Sequence, residues 1–329
     1  MLNLRKSYFY LWHNKGSILI VGLWILVILT ILAVITGGRL SSELRFVRSQ
    51  RDRLKALYLA RAGINQAIIE LEKDDTKNID YLTEPWADNQ EIFKDHPLGE
   101  GKFSVCYNFT VNDKRETFYG VMDEERRINL NTVDKYILSY LPGLTEELID
   151  NIRAWRGDTD VPESARDYSE LGYSCKEKPF VNIEELLLVK GITPELYSQI
   201  KELVTVWAKA VNINTASKEV INIIVSASLR ELRDKGVDIP EAELNSLVEK
   251  IMDFREKDGI FEDVNLENKL ENLSSTQKNI VNNLKADICV DSNYFRIISV
   301  GQLTDSRLKY KVNSVLDFEN RKFLYWNEG

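Results

Sequence analysis

The stretch Lys15-GSILIVGLWILVILTILAVITGG-Arg39 decides how this 329-residue chain is read. From Ser17 to Gly38 it carries 22 residues without a charge, and about 20 apolar residues in a helix cross the roughly 30 Å hydrocarbon core of a bilayer. Residues 17–38 are therefore expected to span a membrane.

The helical pattern does not stop at Arg39. Leu40, Leu44, Val47, Leu54, Leu57, Tyr58, Ile64, Ile68 and Leu71 recur at three- and four-residue steps, with Glu43, Arg45, Arg48, Asp52, Arg53 and Lys55 on the other faces. One helix from about Ser17 to about Glu72 is expected. At 1.5 Å per residue it would be about 85 Å long, its first half in lipid and its second half carrying a folded head.

Working outward to the N-terminus, the leader is basic and the rest is acidic. The formal charge is -8, from 43 basic and 51 acidic residues; without Arg5, Lys6 and Lys15 the remainder holds 40 against 51, or -11. An acidic surface argues against a general grip on nucleic acid, which needs Lys and Arg to displace counterions. The basic leader is expected on the cytoplasmic side and the rest outside. A secretory signal has its small-residue cleavage site after the apolar core, whereas here the candidate site, Gly16-Ser17, precedes it. Cutting there would keep the apolar helix as the mature N-terminus, an arrangement that resembles type IV prepilins and pseudopilins. The fifth residue counted from Ser17 is Val21, where most of that class carry a glutamate. A carboxylate in lipid is costly unless paired, and a subunit without it need not dock beneath another one.

Cys106, Cys175 and Cys289 lie far apart with no CxxC spacing. Nothing among them fits zinc, and the sequence leaves open whether any two pair or all three are buried small apolar residues.

Beyond the helix, a polar loop containing Glu84-Pro85, Asp95 and Pro97 leads into Gly101 to Val111, which alternates apolar and polar residues as a half-buried strand does. Glu116 to Met122 reads as a second strand after the turn-forming Asn112-Asp113. The far end has the same character in Tyr294 to Leu303, Leu308 to Glu319 and Phe323 to Trp326. Strands at both ends must share a sheet to bury their apolar faces, so the middle is expected to be an insertion and the sheet to pack on the long helix.

That middle, about Ile128 to Ala286, is helical and repeated. Ile128-Asn-Leu-Asn-Thr132 recurs as Val211-Asn-Ile-Asn-Thr215, 83 residues on; each is followed by a helix ending in Trp155-Arg156 or Phe254-Arg255, then by Phe180 or Phe261. The Asn-Thr pairs read as helix N-caps. In the first unit, Leu141-Pro-Gly143-Leu-Thr145 and Val189-Lys-Gly191-Ile-Thr193 resemble helix-hairpin-helix turns, with Thr145 and Thr193 where DNA-binding versions have a second glycine. The second unit has Ile223-Ile-Val-Ser226 where the turn would fall. With the acidic balance, a protein-binding or structural role is favoured over DNA binding.

Other constellations are thin. His96 reads as a solvated loop residue, and His13 lies in the leader. Asp258-Gly259 with Glu256, Glu262 and Asp263 lacks EF-hand spacing and reads as a helix-connecting turn. Asp123-Glu124-Glu125 before Arg126-Arg127 reads as a solvated hinge with local ion pairs. No serine, cysteine or carboxylate stands in a recognisable catalytic setting, so an enzyme is not expected.

Taken in order, Lys15-Gly16-Ser17, Val21, Ala60-Arg-Ala-Gly-Ile64, Asp123-Glu-Glu-Arg-Arg-Ile-Asn-Leu-Asn131 and the repeated Asn-x-Asn-Thr resemble the K-type minor pseudopilins of type II secretion systems over nearly the whole chain. Departures are Ser17 where phenylalanine is common and the missing hairpin glycine of the second unit. The resemblance implies an α+β, pilin-like fold: a leader at residues 1–16, a spanning part at 17–38, a first head segment at 39–127, an inserted all-helical domain of two helix-hairpin-helix or SAM-like repeats at 128–286, and head strands at 287–329. It implies an inner-membrane, single-pass subunit with a periplasmic head at the pseudopilus tip. Expected partners are I- and J-type minor pseudopilins, the major pseudopilin, a prepilin peptidase that cuts before Ser17 and methylates it, and the inner-membrane secretion platform. It also implies calcium in the head, for which Asp123, Glu124 and Asp291 are first candidates without being a committed ligand set. Two other readings stay open: a membrane-anchored DNA receptor of the competence type, and a minor pilin of a type IV pilus.

Overall fold

The computed structural model describes residues 15–329 apart from 77, 112, 113, 235, 237–239 and 258, and the side chains of 15–17 and 109–115 are likewise not described. The leader up to residue 14, the Asn112-Asp113 turn and Asp258 fall outside the described residues.

Helix α1 runs Lys15–Glu72. It ends where the sequence places its end and begins two residues earlier, so the backbone of Gly16 and Ser17 is already helical. The chain divides into two compact units, Met1–Lys55 and Ala56–Gly329. In the first, α1 contains a segment long and apolar enough to cross a membrane. The hydroxyls of Thr30 and Thr36 donate to the carbonyls of Leu26 and Leu32, both at 2.7 Å. Such back-bonding satisfies a polar group inside its own helix, as an apolar surrounding requires.

In the second unit α1 is followed by α2 (Gln90–Phe93), β1 (His96–Leu98), β2 (Gly101–Val105), β3 (Tyr107–Val111), β4 (Lys114–Phe118) and β5 (Met122–Asp123). Then come β6 (Ile128–Asn129), α3 (Lys135–Leu138), α4 (Glu146–Arg156), α5 (Pro194–Ile200), β7 (Val204–Thr205), β8 (Val211–Asn212), α6 (Lys218–Asp234), α7 (Glu241–Glu256) and α8 (Ser275–Leu284). The chain closes with β9 (Ile288–Cys289), β10 (Tyr294–Leu303), β11 (Lys309–Asp317) and β12 (Lys322–Glu328). The main sheet is antiparallel in the order β1-β2-β10-β11-β12, with β5 also on β10. Strands before and after the helical stretch thus share one sheet. Ala56, Ala60, Ile64 and Ala67 of α1 pack on Phe103, Phe295, Ile297 and Val312 of that sheet.

One strand expected from the sequence is two. Gly101 to Val111 breaks at Cys106, and β3 leaves the sheet to pair with β4. The alternation is continuous there, so the cause is competition for an edge: β2 pairs with β10 at Ser299–Leu303, while β5 occupies Phe295 and Arg296, where a continued β2 would lie. The expected strand Glu116 to Met122 divides for the same reason, around Gly120, whose missing Cβ leaves room for the carbonyls of Trp86 and Ala87. His96 is likewise not in a loop: it belongs to β1, half-buried, with its ring 5.0 Å from Phe103.

The internal repeat is built from equivalent bonds. Asn131 accepts the Phe180 N–H at 2.7 Å and donates to the Phe180 carbonyl at 3.0 Å; Asn214 does the same with Phe261 at 2.9 and 3.0 Å. Asn129 and Asn212 each accept the N–H two residues on, at 2.9 Å. These asparagines are therefore clamps between distant segments, not the N-caps the sequence suggests. Asp134 and Ser217 perform the capping, accepting from Ile137 and Val220. Each unit is closed by a two-residue parallel pair, β6 with β7 and β8 with β9. The stretch Ile223-Ile-Val-Ser226, where a turn would have fallen, lies inside the continuous α6.

Both hairpin glycines are left-handed, Gly143 at φ 75° and Gly191 at φ 84°. A Cβ on Gly143 would stand 2.8 Å from Leu196, and one on Gly191 2.7 Å from Leu148. The two hairpins thus pack reciprocally, each glycine against the leucine that follows the other hairpin. Thr145 and Thr193 cap α4 and α5.

Candidate functional site

Where β5 hands over to the helical stretch, five consecutive charged residues are buried: Asp123, Glu124, Glu125, Arg126 and Arg127 are at most 7% exposed. The solvated hinge expected from the sequence is thereby corrected. Its physical basis is pairing with residues far away in the chain. Glu124 accepts from the Arg296 guanidinium and the Thr205 hydroxyl, with Arg127 at 3.6 Å. Burial works to raise its carboxyl, yet Arg296 and Arg127 hold it below the usual carboxylate range. The Arg296 guanidinium lies over the rings of Trp207 and Tyr325, at 5.3 and 6.0 Å.

The neighbouring acids are held by hydroxyl and backbone N–H donors. Asp123 accepts the Glu125 N–H at 2.7 Å and the Thr215 hydroxyl. Glu125 accepts the N–H groups of Asn293 and Tyr294, at 3.2 and 3.0 Å. Burial pushes both carboxyls up, and Asp123 adds to the rise of Glu125. Asp80 sits next to them: its carboxylate accepts the Ser292 N–H at 2.7 Å, and its carbonyl accepts from Asn212 at 3.2 Å. Burial, then the charge of Asp123, pushes Asp80 up to about 9.

Asp80 also belongs to a second grouping. Carboxylate oxygens of Asp74, Asp80 and Glu84 lie within 4.8 Å of one another. The Thr76 hydroxyl lies 2.9 Å from Asp74 and 2.6 Å from Glu84, and Glu84 further accepts from the Tyr81 N–H and the Trp86 indole. Burial pushes Glu84 up to about 7. Ligands at roughly 2.3–2.6 Å from one calcium ion stand at most about 5 Å apart, so this oxygen-only, partly buried donor set fits a hard divalent cation. Of the sequence candidates, Asp123 adjoins the set through its charge on Asp80, whereas Glu124 is already neutralised by arginines. Asp291 is not one of the three residues of this grouping. Asp74, Asp80 and Glu84 escaped the sequence reading, although Asp-x5-Asp-x3-Glu around Thr76 and Trp86 was there to be seen.

Val21 is 54% exposed on α1, within the apolar span. Gly16 and Ser17 are described by their backbone alone. Cys106, Cys175 and Cys289 are all free and partly buried, and burial pushes the Cys289 thiol up.

A helix packed on an antiparallel sheet, with a duplicated helical region between neighbouring strands, defines a pilin-like fold carrying an insertion. Residues 137–209 match the family model of type II secretion system protein K, and residues 15–65 match that of the PilX N-terminal region. Among solved structures, the chain resembles one from the GspK-GspI-GspJ complex of the enterotoxigenic Escherichia coli type 2 secretion system. The two share 19% identity at a TM-score of 0.62, over 86% of this chain and 99% of that one. No curated protein matches. These likenesses support a fold of the K-type minor pseudopilins and agree with the resemblance carried by the sequence.

Proposed function

We propose that this chain is a minor pseudopilin at the tip of the periplasmic pseudopilus of a type II secretion system, where it starts or caps the filament for export of folded proteins. One observation carries the reading: the segment matching protein K of that system, with both hairpins, lies between strands of a single pilin-like sheet. The apolar part of α1 anchors the chain in the inner membrane, and a prepilin peptidase cuts between Gly16 and Ser17 and methylates Ser17. Val21, in place of a glutamate, suits a subunit with nothing docked above it. I- and J-type minor pseudopilins, the major pseudopilin and the secretion platform are its partners, and no catalytic step is assigned to it.

A cation held by Asp74, Asp80 and Glu84 would supply positive charge to a cluster of otherwise crowded carboxyls. Asp80 ties the loop after α1 to Ser292, ahead of β10, and to Asn212 of the second helical unit, while Asp74 and Glu84 bond within the loop.

Co-expression with a prepilin peptidase tests the reading. Mass spectrometry should find residues 1–16 removed and Ser17 methylated, and the chain should co-purify with I- and J-type subunits. An intact N-terminus together with no co-purification would sink it. The DNA-receptor alternative is disfavoured by the leucines covering Gly143 and Gly191 and by 34 basic against 49 acidic residues over 56–329.

A further inference from the structure

The main sheet has two unlike faces. One carries Phe103, Phe295, Ile297 and Val312 and packs on α1. Side chains alternate along a strand, so the residues between these point to the other face. There Lys102, Gln302 and Lys309 form a row across β2, β10 and β11, and Ser104, Val300 and Lys311 form the next. Ile298 and Asn313 continue it, followed by Arg296. Lys309 and Lys311 are exposed, and Ile298 and Val300 are half-buried.

This face is basic in an acidic unit. With Arg296, and with Lys322 opposite Asp317, it carries five basic residues and one acid, where residues 56–329 as a whole hold 34 basic against 49 acidic. Asp95 pairs with Lys102 at 2.9 Å, Glu124 pairs with Arg296, and Asp317 is buried. Lys309 and Lys311 therefore set the charge at its exposed centre. Cys106 lies within their reach: its N–H donates to the Ile298 carbonyl at 3.1 Å, burial raises its thiol, and Lys311 and Lys309 act against that rise.

The geometry selects the shape of what answers those lysines. Two residues apart on one strand, Lys309 and Lys311 stand about 7 Å apart, the spacing of alternate carboxylates on an extended peptide. Three strands make a face only about 10 Å wide. A lipid plane or a nucleic acid is broader and would also meet the acids that dominate the rest of the unit, whereas a single extended segment covers this face alone.

We propose that the sheet face turned away from α1, with Lys102, Lys309 and Lys311 around Ile298 and Val300, docks an extended segment of a partner protein that carries glutamate or aspartate at alternate positions. The register and charge of this sheet carry the inference, which does not depend on the function proposed above.

The test uses the full chain in phosphatidylcholine nanodiscs and two labelled nine-residue peptides that alternate valine with either glutamate or lysine. The glutamate peptide should bind about tenfold or more tightly than the lysine peptide. That preference should vanish or invert in K309E/K311E and persist in K257E/K278E, which removes exposed lysines of the helical region. On the unaltered chain, the glutamate peptide should slow alkylation of Cys106 by N-ethylmaleimide at least threefold and leave Cys175 unchanged, read residue by residue by mass spectrometry. Equal affinity for the two peptides, no binding, equal loss in both double variants, or an unprotected Cys106 overturns the proposal. So does displacement of the peptide by protein-free phosphatidylglycerol nanodiscs at equal charge, which would make lipid the occupant. Thermal melts of the variants report that the fold is retained.

Discussion

Ser292 donates its backbone N–H to the Asp80 carboxylate at 2.7 Å, tying the loop after α1 to the segment that leads into β10. The same loop holds Asp74 and Glu84, so one contact links the acidic grouping to the return of the chain into the sheet.

This arrangement sets a pH dependence. Asp80 titrates near 9 when folded, against an ordinary value of 3.8, so between those pH values the folded chain binds more protons than the unfolded one. Stability then falls as pH rises through that window, and a bound cation, competing with the proton, offsets the fall. Calcium should raise the melting temperature at pH 8 by at least about 2 °C over EDTA and do less at pH 5.5. Asp80→Asn should raise the cation-free melting temperature at pH 8 and abolish the calcium response. A calcium response that is the same at both pH values, or none at pH 8, would count against the cation site.

The duplicated asparagine clamps should differ in strength. Asn214 is 4% exposed and Asn131 only partly buried, though each bridges to a phenylalanine backbone by two bonds. Removing a buried carboxamide leaves an N–H and a carbonyl unsatisfied at about 1–3 kcal/mol per group. Asn214→Ala should therefore cost about 2–4 kcal/mol in urea unfolding, and Asn131→Ala about half of that. Equal losses would mean that burial does not set the strength of the clamp.

What the sequence discloses depends on how far away a residue's partners lie. The long helix, the C-terminal strands and the 83-residue repeat follow from local periodicity and a repeated motif, and the structure contains all three. The break at Cys106 has no local signal, because alternation runs on through Val111 and only the claim of β5 on the same edge of β10 ends β2. Asp123 to Arg127 looks solvent-facing for a similar reason. Its partners Thr205, Thr215 and Arg296 come from 81, 92 and 172 residues away. The Asp74, Asp80 and Glu84 grouping is close in sequence, but loop acids carry no periodicity to mark them.

Glu124 is paired with the guanidinium groups of Arg296 and Arg127, and its neutralisation should cost more than that of Glu125. Glu124→Gln keeps the shape and leaves Arg296 and Arg127 buried without their counter-charge. Breaking one side of a buried ion pair typically costs about 3–5 kcal/mol, so a loss of that order is expected in denaturant unfolding. Glu125→Gln, which removes a carboxyl already pushed towards the neutral form, should change stability by less than about 1 kcal/mol near neutral pH. Equal losses for the two would contradict the electrostatic assignment.

The closest approach of α1 to the sheet rests on glycine. A Cβ built on Gly301 would stand 2.1 Å from the Ala56 carbonyl oxygen and 2.5 Å from the Ala60 nitrogen, both backbone atoms of α1. Gly63, in Ala60-Arg-Ala-Gly-Ile64, meets the Ser299 hydroxyl in the same way at 2.2 Å. A serine hydroxyl can rotate away, whereas a helix backbone moves only by shifting the whole contact with Phe103, Ile297 and Val312. Overpacking of this kind costs about 1–3 kcal/mol where neighbours yield, and more where they do not. Gly301→Ala is expected to destabilise the chain by 3 kcal/mol or more, roughly, and Gly63→Ala by about 1–2 kcal/mol. Urea unfolding followed by circular dichroism separates the two, and a tolerated Gly301→Ala would show that helix and sheet sit further apart than these distances say.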